Sequence, residues 1–323
     1  MTTNSNHGQL VTAALIGIVF YLNQASGEEY ALLIGVNQCP EFRLPDGSKS
    51  LSLRAAESDA EAMYELLTTR LGVPKQQVTL LTGQNATRAA MQNALQKLAR
   101  QLQSDDHLWF HFAGHGTQVP DQKPYDEEDD LDEALCLADA TTDIKTLVLD
   151  DELGRWLEDL PARRITVLLD CCHSGTGLKD VDEDLQSRFL PFPGAPAAEH
   201  AKASPWREVR GDTKSVDRDM TAIFACQSGQ QAYERRLARG GETIRAGQFT
   251  HYLLEGLASG TVDRNADKTI SRKELYEFIA QHLDESFNTL RERPSDRQQP
   301  VLETDRPALP IFPPRSQHST TKP

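Results

Sequence analysis

Basic residues are in short supply in this chain: 34 Lys and Arg stand against 48 Asp and Glu, a formal charge of −14 at pH 7. With no basic stripe to neutralise phosphates, the composition argues against nucleic acid as a partner. An acidic balance keeps a chain soluble, and locally it favours basic peptides or divalent cations. Cysteine is sparse too, with Cys39, Cys136, Cys171, Cys172 and Cys226. An odd number, without Cys-x-x-Cys or paired-histidine spacing, argues against a disulfide framework and against a zinc site. One apolar run, residues 10–22, falls short of the ~20 residues that a spanning helix needs, so no membrane attachment is expected. The residues before it hold no Lys or Arg, so it also lacks the basic head of a secretory signal. Two readings of residues 1–28 stand: an atypical export signal with a small-residue cleavage site at Ala25-Ser-Gly27, or a leader packed on the domain. The unpaired thiols favour a cytoplasmic location over export.

What is present is a chain of 323 residues, long enough for a sizeable core. Its hydrophobic periodicity alternates. Strands are expected over 30–36, 78–81, 107–112, 164–170 and 220–226, with helices near 53–71, 87–103, 150–160, 247–258 and 271–286. Val301 and Leu302, with Leu309 to Phe312, would close an edge. Such alternation implies a mostly parallel central sheet with helices on both faces. Residues 177–219 break the pattern with Pro191, Pro193, Pro196 and Pro205 and read as an exposed linker. Its basic residues Arg188, Lys202, Arg207 and Arg210 would then be open to cutting. Residues 313–323 read as a polar tail.

Two strand ends carry the chemistry. The run Ile165-Thr-Val-Leu-Leu-Asp-Cys-Cys-His-Ser-Gly175 delivers a thiol to the carboxyl edge of the sheet, where open α/β sheets place their ligands. Leu108-Trp-Phe-His-Phe-Ala-Gly-His-Gly116 delivers His115 between two glycines, 57 residues before Cys172. Two core thiols would be the alternative meaning of Cys171-Cys172; the second strand end favours a nucleophile and its base. In that reading His115 stabilises the Cys172 thiolate and passes the proton on to a leaving amine. The backbone N–H groups of Gly116 and Cys172 are candidates to hold the oxyanion. Asp170, two residues before Cys172, lies on the same side of an extended chain and would attract a basic side chain. His173 and His111 are read as structural.

Phe112-Ala-Gly-His-Gly116 and Asp170-Cys-Cys-His-Ser-Gly175 resemble the Tyr-Ser-Gly-His-Gly and Asp-x-Cys-His-Ser-Gly pair of the metacaspases, within the caspase-like cysteine peptidases. Tyr30-Ala-Leu-Leu-Ile-Gly-Val-Asn37, Leu53-Arg-Ala-Ala-Glu-Ser-Asp59, Asp150-Asp-Glu152 and Gly247-Gln-Phe-Thr250 are similar to further family segments, in order from about residue 29 to 302. Phe112, Ala113, Ser58 and the additional Cys171 depart from the pattern. The resemblance implies a caspase-like three-layer α/β sandwich, with 29–176 as the large-subunit-like part, 177–219 as linker and 220–312 as the small-subunit-like part. It implies a Cys172–His115 endopeptidase that cleaves protein or peptide substrates after Arg or Lys, with Asp59 and Asp170 lining the pocket. It also implies calcium near the site through Asp132, Asp150 and Asp151; of the family's fourth acid only Asp180 is a nearby match. No organic cofactor is expected.

Asp263-Arg-Asn-Ala-Asp-Lys-Thr-Ile-Ser-Arg-Lys-Glu274 matches an EF-hand loop at Asp263, Asn265, Asp267, Ser271 and Glu274, but Lys268 stands where glycine permits the left-handed turn. The same residues read equally as an acidic turn capped by Ser271 and Glu274. Two other functions remain open from sequence: an Asp-directed caspase-type peptidase, whose pocket would need arginine, and a calcium-responsive scaffold with an inactive fold.

Overall fold

The structure, a computed structural model, describes residues 27–122, 130–172, 184–195, 218–239, 241–291 and 297–312. The apolar leader, residues 123–129, His173, Asp180, Lys202, Arg207, Arg210 and the polar tail lie outside the described residues.

In chain order the strands are β1 (Glu29–Gly35), β2 (Val78–Thr82), β3 (His107–Ala113), β4 (His115–Pro120), β5 (Leu131–Cys136), β6 (Val148–Leu149), β7 (Arg164–Asp170), β8 (Gln186–Ser187), β9 (Asp219–Phe224), β10 (Tyr233–Arg239), β11 (Glu242–Gly247) and β12 (Val301–Thr304). The helices are α1 (Ala56–Glu65), α2 (Arg88–Gln101), α3 (Asp150–Glu158), α4 (Gln248–Ala258) and α5 (Arg272–Ser286).

The central sheet runs β12-β9-β7-β3-β1-β2. All its pairings are parallel except β12 against β9. Every residue of β3 is buried, as expected of a strand covered on both faces, and its period of two divides the core. Leu108, Phe110 and Phe112 pack with Ile165, Val167 and Leu169 beneath α2 and α3. Trp109 packs with Leu33, Leu168 and Ile223 beneath α1, α4 and α5. Each such side chain contributes roughly 1.5–3 kcal/mol by leaving water. The result is the expected three-layer sandwich. Among the described residues no helix is long and apolar enough to cross a membrane.

From β1 the chain passes first to β2 on one side and then to β3 on the other. The strand order therefore diverges beside β1, and the carboxyl ends of β1, β3 and β7 open onto one crevice, where such sheets bind ligands.

Two small antiparallel sheets, β4-β5-β6 and β11-β10-β8, flank that crevice and were not evident from periodicity. At the far edge β12 closes the sheet as expected. Leu309 to Phe312 adds no strand, only an isolated bridge between Ser271 and Pro310. Arg272 holds this corner by a bidentate pair with Asp219, both bonds 2.6 Å.

Candidate active site

A Cβ on Gly114 would lie 2.6 Å from the Phe112 ring, so only glycine lets the chain turn so closely between β3 and β4. The turn presents His115, whose Nε2 lies 2.8 Å from the Leu51 carbonyl. A carbonyl only accepts, so Nε2 carries the proton and Nδ1 is the basic nitrogen. Nδ1 is buried without a hydrogen bond, and the ring's other backbone neighbour is Arg188. Burial pushes the imidazole down to about 4.

Past the end of β7, alternation turns Cys171 and Cys172 to opposite faces. Cys171 packs on the α2–α3 side and Cys172 on the other. The Cys172 Sγ lies 3.8 Å from the Ala232 carbonyl and 3.8 Å from Ser187 Oγ. Burial pushes this thiol up to about 12. Cys172 and His115 are therefore a neutral thiol and a neutral imidazole. All five cysteines are buried and free.

Asp59 of α1, Asp170 of β7 and Glu234 of β10 converge on one cation, Arg188. Its Nη2 lies 2.5 Å from Asp59 and 3.6 Å from Glu234, and its Nη1 2.9 Å from Asp170. Each acid is fixed from behind. Asp59 accepts the Gly247 N–H at 3.0 Å. Asp170 accepts the Thr250 N–H at 3.1 Å and its hydroxyl at 2.7 Å. Glu234 accepts the N–H groups of Arg54 and Ala55 at 2.8 and 3.0 Å, capping α1, which has no side-chain cap of its own. A Cβ on Gly247 would lie 2.3 Å from Asp170 Oδ2 and 2.6 Å from Arg188 Nη2, so the pocket exists because this residue has none. Burial pushes Asp59 up to about 7 against the pull of the guanidinium, and Asp170 adds to the rise. Burial opposes the Arg188 charge as well, but Asp170, Asp59 and Glu234 together hold it above its ordinary value. Since the Thr250 proton goes to Asp170, His111 donates from Nε2 to Thr250 Oγ1 at 3.3 Å and supports the pocket floor.

The segment that carries Arg188 corrects the expectation of an exposed linker. Residues 184–195 pack into the site, and Arg188 is 0% exposed, because three acids supply the pairing that a buried guanidinium requires. β8 pairs antiparallel with β10, setting Ser187 opposite Tyr233. The Arg188 N–H reaches the Ala232 carbonyl at 2.9 Å, and its own carbonyl accepts the Gly116 N–H at 2.9 Å. The Gly116 N–H, expected to hold an oxyanion, is thus engaged by a peptide carbonyl. Sequence reasoning missed Glu234 and the Leu51 carbonyl; Gly247 and Thr250 lay within a segment already singled out.

The acids expected to hold calcium have partners within the protein. Among the described residues no three His, Cys, Asp or Glu side chains are grouped to hold a metal. Asp132 accepts the Gln122 N–H at 2.7 Å, Asp151 lies 3.4 Å from Arg155, and Asp150 is buried at the start of α3. In the 263–274 loop, Asp263, Asn265 and Asp267 accept N–H groups of the loop itself. Glu274 receives the N–H groups of Arg264 and Ser271 and completes a capping box with Ser271. Lys268 does take the left-handed turn, at φ +68, although its Cβ makes that conformation costly.

The sequence model of the caspase domain matches residues 28–308. Metacaspase-3 of Arabidopsis thaliana is 35% identical over 160 residues, 47% of this chain and 41% of that protein. Metacaspase-1 of Candida glabrata is 30% identical over 203 residues, 61% of this chain and 47% of that protein. The chain thus spans less than half the length of the curated relatives it matches. A crystal structure of a Geobacter sulfurreducens protein superposes with a TM-score of 0.55 at 26% identity, over 86% of this chain and 93% of that one. The family model covers nearly all the described residues, and the chain belongs to the caspase-domain family.

Proposed function

We propose that this chain is a cysteine endopeptidase that hydrolyses the peptide bond following arginine, and less readily lysine, with Cys172 as nucleophile and His115 as acid and base. The observation that carries the reading is the seat of Arg188: a guanidinium held by Asp59, Asp170 and Glu234, with its carbonyl on the Gly116 N–H. Its two terminal nitrogens pair separately with Asp59 and Asp170, a fork that a lysine ammonium cannot reproduce. Against the Asp-directed alternative, three carboxylates would repel an acidic side chain.

The chemistry follows from these positions. His115, oriented by Leu51, takes the Cys172 proton on Nδ1, and the thiolate attacks the carbonyl carbon of the bound arginine. The Gly116 N–H receives the developing oxyanion. His115 then protonates the departing amine, and water hydrolyses the thioester with the same histidine as base. Purified protein assayed on peptides with Arg, Lys or Asp before the scissile bond tests the reading. Arg turnover should exceed Lys, Asp turnover should be absent, and Cys172→Ala should abolish all activity. Preference for Asp peptides would overturn the assignment of the pocket.

A further inference from the structure

We propose that the guanidinium groups of Arg236 and Arg245 form a second subsite, which selects substrates carrying Asp or Glu four residues before the arginine at the scissile bond. The proposal rests on the peptidase reading above and extends it from one pocket to recognition at two points of opposite charge.

The edge of β10 gives an extended peptide a place to lie. Ser187 pairs with Tyr233 and Gln186 with Glu234 in antiparallel register, the main-chain mode by which peptides add a strand to a sheet edge. The same stretch ends with a guanidinium in the acid pocket. A substrate arginine seated there would lead its preceding residues along this edge. Continued two residues outward, the register sets position 184, four before the arginine, opposite Arg236. The side chain at that position is Asp184, whose two oxygens lie 2.5 and 2.7 Å from Arg236 Nη2. Arg245 Nη2 lies 4.0 Å from the same carboxylate, and its Nη1 lies 3.9 Å from Glu234. One arginine thus spans the acid pocket and the outer position.

The distribution of charge marks this as a place for an anion. The chain as a whole carries −14, yet the β10–β11 hairpin sets Arg235, Arg236, Arg239 and Arg245 against Glu234 and Glu242 alone. Arg236 and Arg245 stand directly opposite each other in its register, and like charges so placed destabilise a sheet. A carboxylate shared by the two offsets that repulsion. The hydrogen bond from Arg236, with the charges of Arg236, Arg245 and Arg235, holds the Asp184 carboxyl below its ordinary value, so an acid at this position stays ionised. A peptide that takes this path displaces Asp184 and must bring its own acid to keep the contact. Asparagine supplies no charge there, and lysine adds to the repulsion.

Exposure sets the size of the effect. The side chains of Arg236 and Asp184 are 61% and 45% exposed, whereas the acid pocket is buried, so the outer position ranks substrates that the pocket has already admitted. An ion pair this open to water changes kcat/KM by about two- to fivefold, and salt screens it.

The full chain is assayed on three peptides that end in the same arginine and differ only in Asp, Asn or Lys four residues before it. In wild type kcat/KM should be about two- to fivefold higher for Asp than for Asn and lowest for Lys, and the three should converge at about 1 M salt. Arg236→Gln should bring the Asp-to-Asn ratio close to one, and Arg236→Glu should make the Lys peptide the best of the three. Each ratio is taken within one protein, so a smaller folded fraction in a variant cancels. Equal wild-type rates on the Asp and Asn peptides, or an Asp preference that survives Arg236→Gln, would overturn the proposal and leave the peptidase reading standing. A wild-type chain that hydrolyses none of the three would overturn both.

Discussion

Replacing Gly247 by alanine tests the acid pocket without touching nucleophile or base. The new Cβ would stand 2.3 Å from Asp170 Oδ2 and 2.6 Å from the nitrogen of a seated guanidinium, whereas carbon contacts settle at about 3.5 Å. Asp170 cannot retreat, because the Thr250 N–H and hydroxyl hold the same oxygen. The guanidinium must therefore withdraw by about an ångström, enough to break at least one of its two short pairs. A charge-assisted hydrogen bond contributes about 1.5–3 kcal/mol, so kcat/KM for Arg peptides should fall by roughly 10- to 150-fold. The same crowding should expel Arg188, so a small thiol alkylator should reach Cys172 at least as fast as in wild type. The assay is steady-state hydrolysis of an Arg peptide beside the alkylation rate, with the melting temperature as a folding control. Wild-type turnover in a folded Gly247→Ala chain would show that arginine does not bind between Asp59 and Asp170.

Four further outcomes are expected. Cys172→Ala and His115→Ala should each abolish turnover while Cys171→Ala keeps most of it, and mass spectrometry should place an active-site alkylator on Cys172. Asp59 sits at about 7 beside Arg188, Asp170 and Glu234. Its raised value means that it is protonated below that pH, so KM for Arg peptides should rise as pH falls through about 7, and Asp59→Asn should remove that limb of the profile. Asp219→Ala would leave Arg272 buried without its bidentate partner and should cost about 3–5 kcal/mol, read as a lower melting temperature. Both Glu274 oxygens are engaged by N–H groups, so Glu274→Gln should cost about 1 kcal/mol of capping, seen as a melting shift of a few degrees, with no change in response to added calcium.

The central sheet was legible because its inner strands β1, β3, β7 and β9 are buried on both faces. Such strands announce themselves as apolar β-branched runs, and the expected 164–170 strand coincides with β7. The flanking sheets gave no such signal. Tyr233-Glu-Arg-Arg-Leu-Ala-Arg239 forms β10, yet four of its seven residues are charged, and what makes it a strand is its pairing with β11 and β8. Those pairings are tertiary facts, and packing against neighbours outweighs local propensity in strands of this kind.

The same division runs through the site. Cys172, His115 and Asp170 could be found because each lies at or just beyond the end of a readable strand, and Asp59 because its segment resembles a family motif. Glu234 could not, since its role depends on the α1 N-terminus, 180 positions from it at Arg54. Arg188 was misread for a related reason. Its neighbours Pro191 and Pro193 make the stretch look solvated, and arginine is almost never fully buried unless paired. Its partners lie at distant sequence positions, 129 away for Asp59 and 18 for Asp170, so no local window contains the condition that buries it. A pocket made by folding can only be seen filled once the fold is known, and here what fills it is a guanidinium paired with the pocket's own acids.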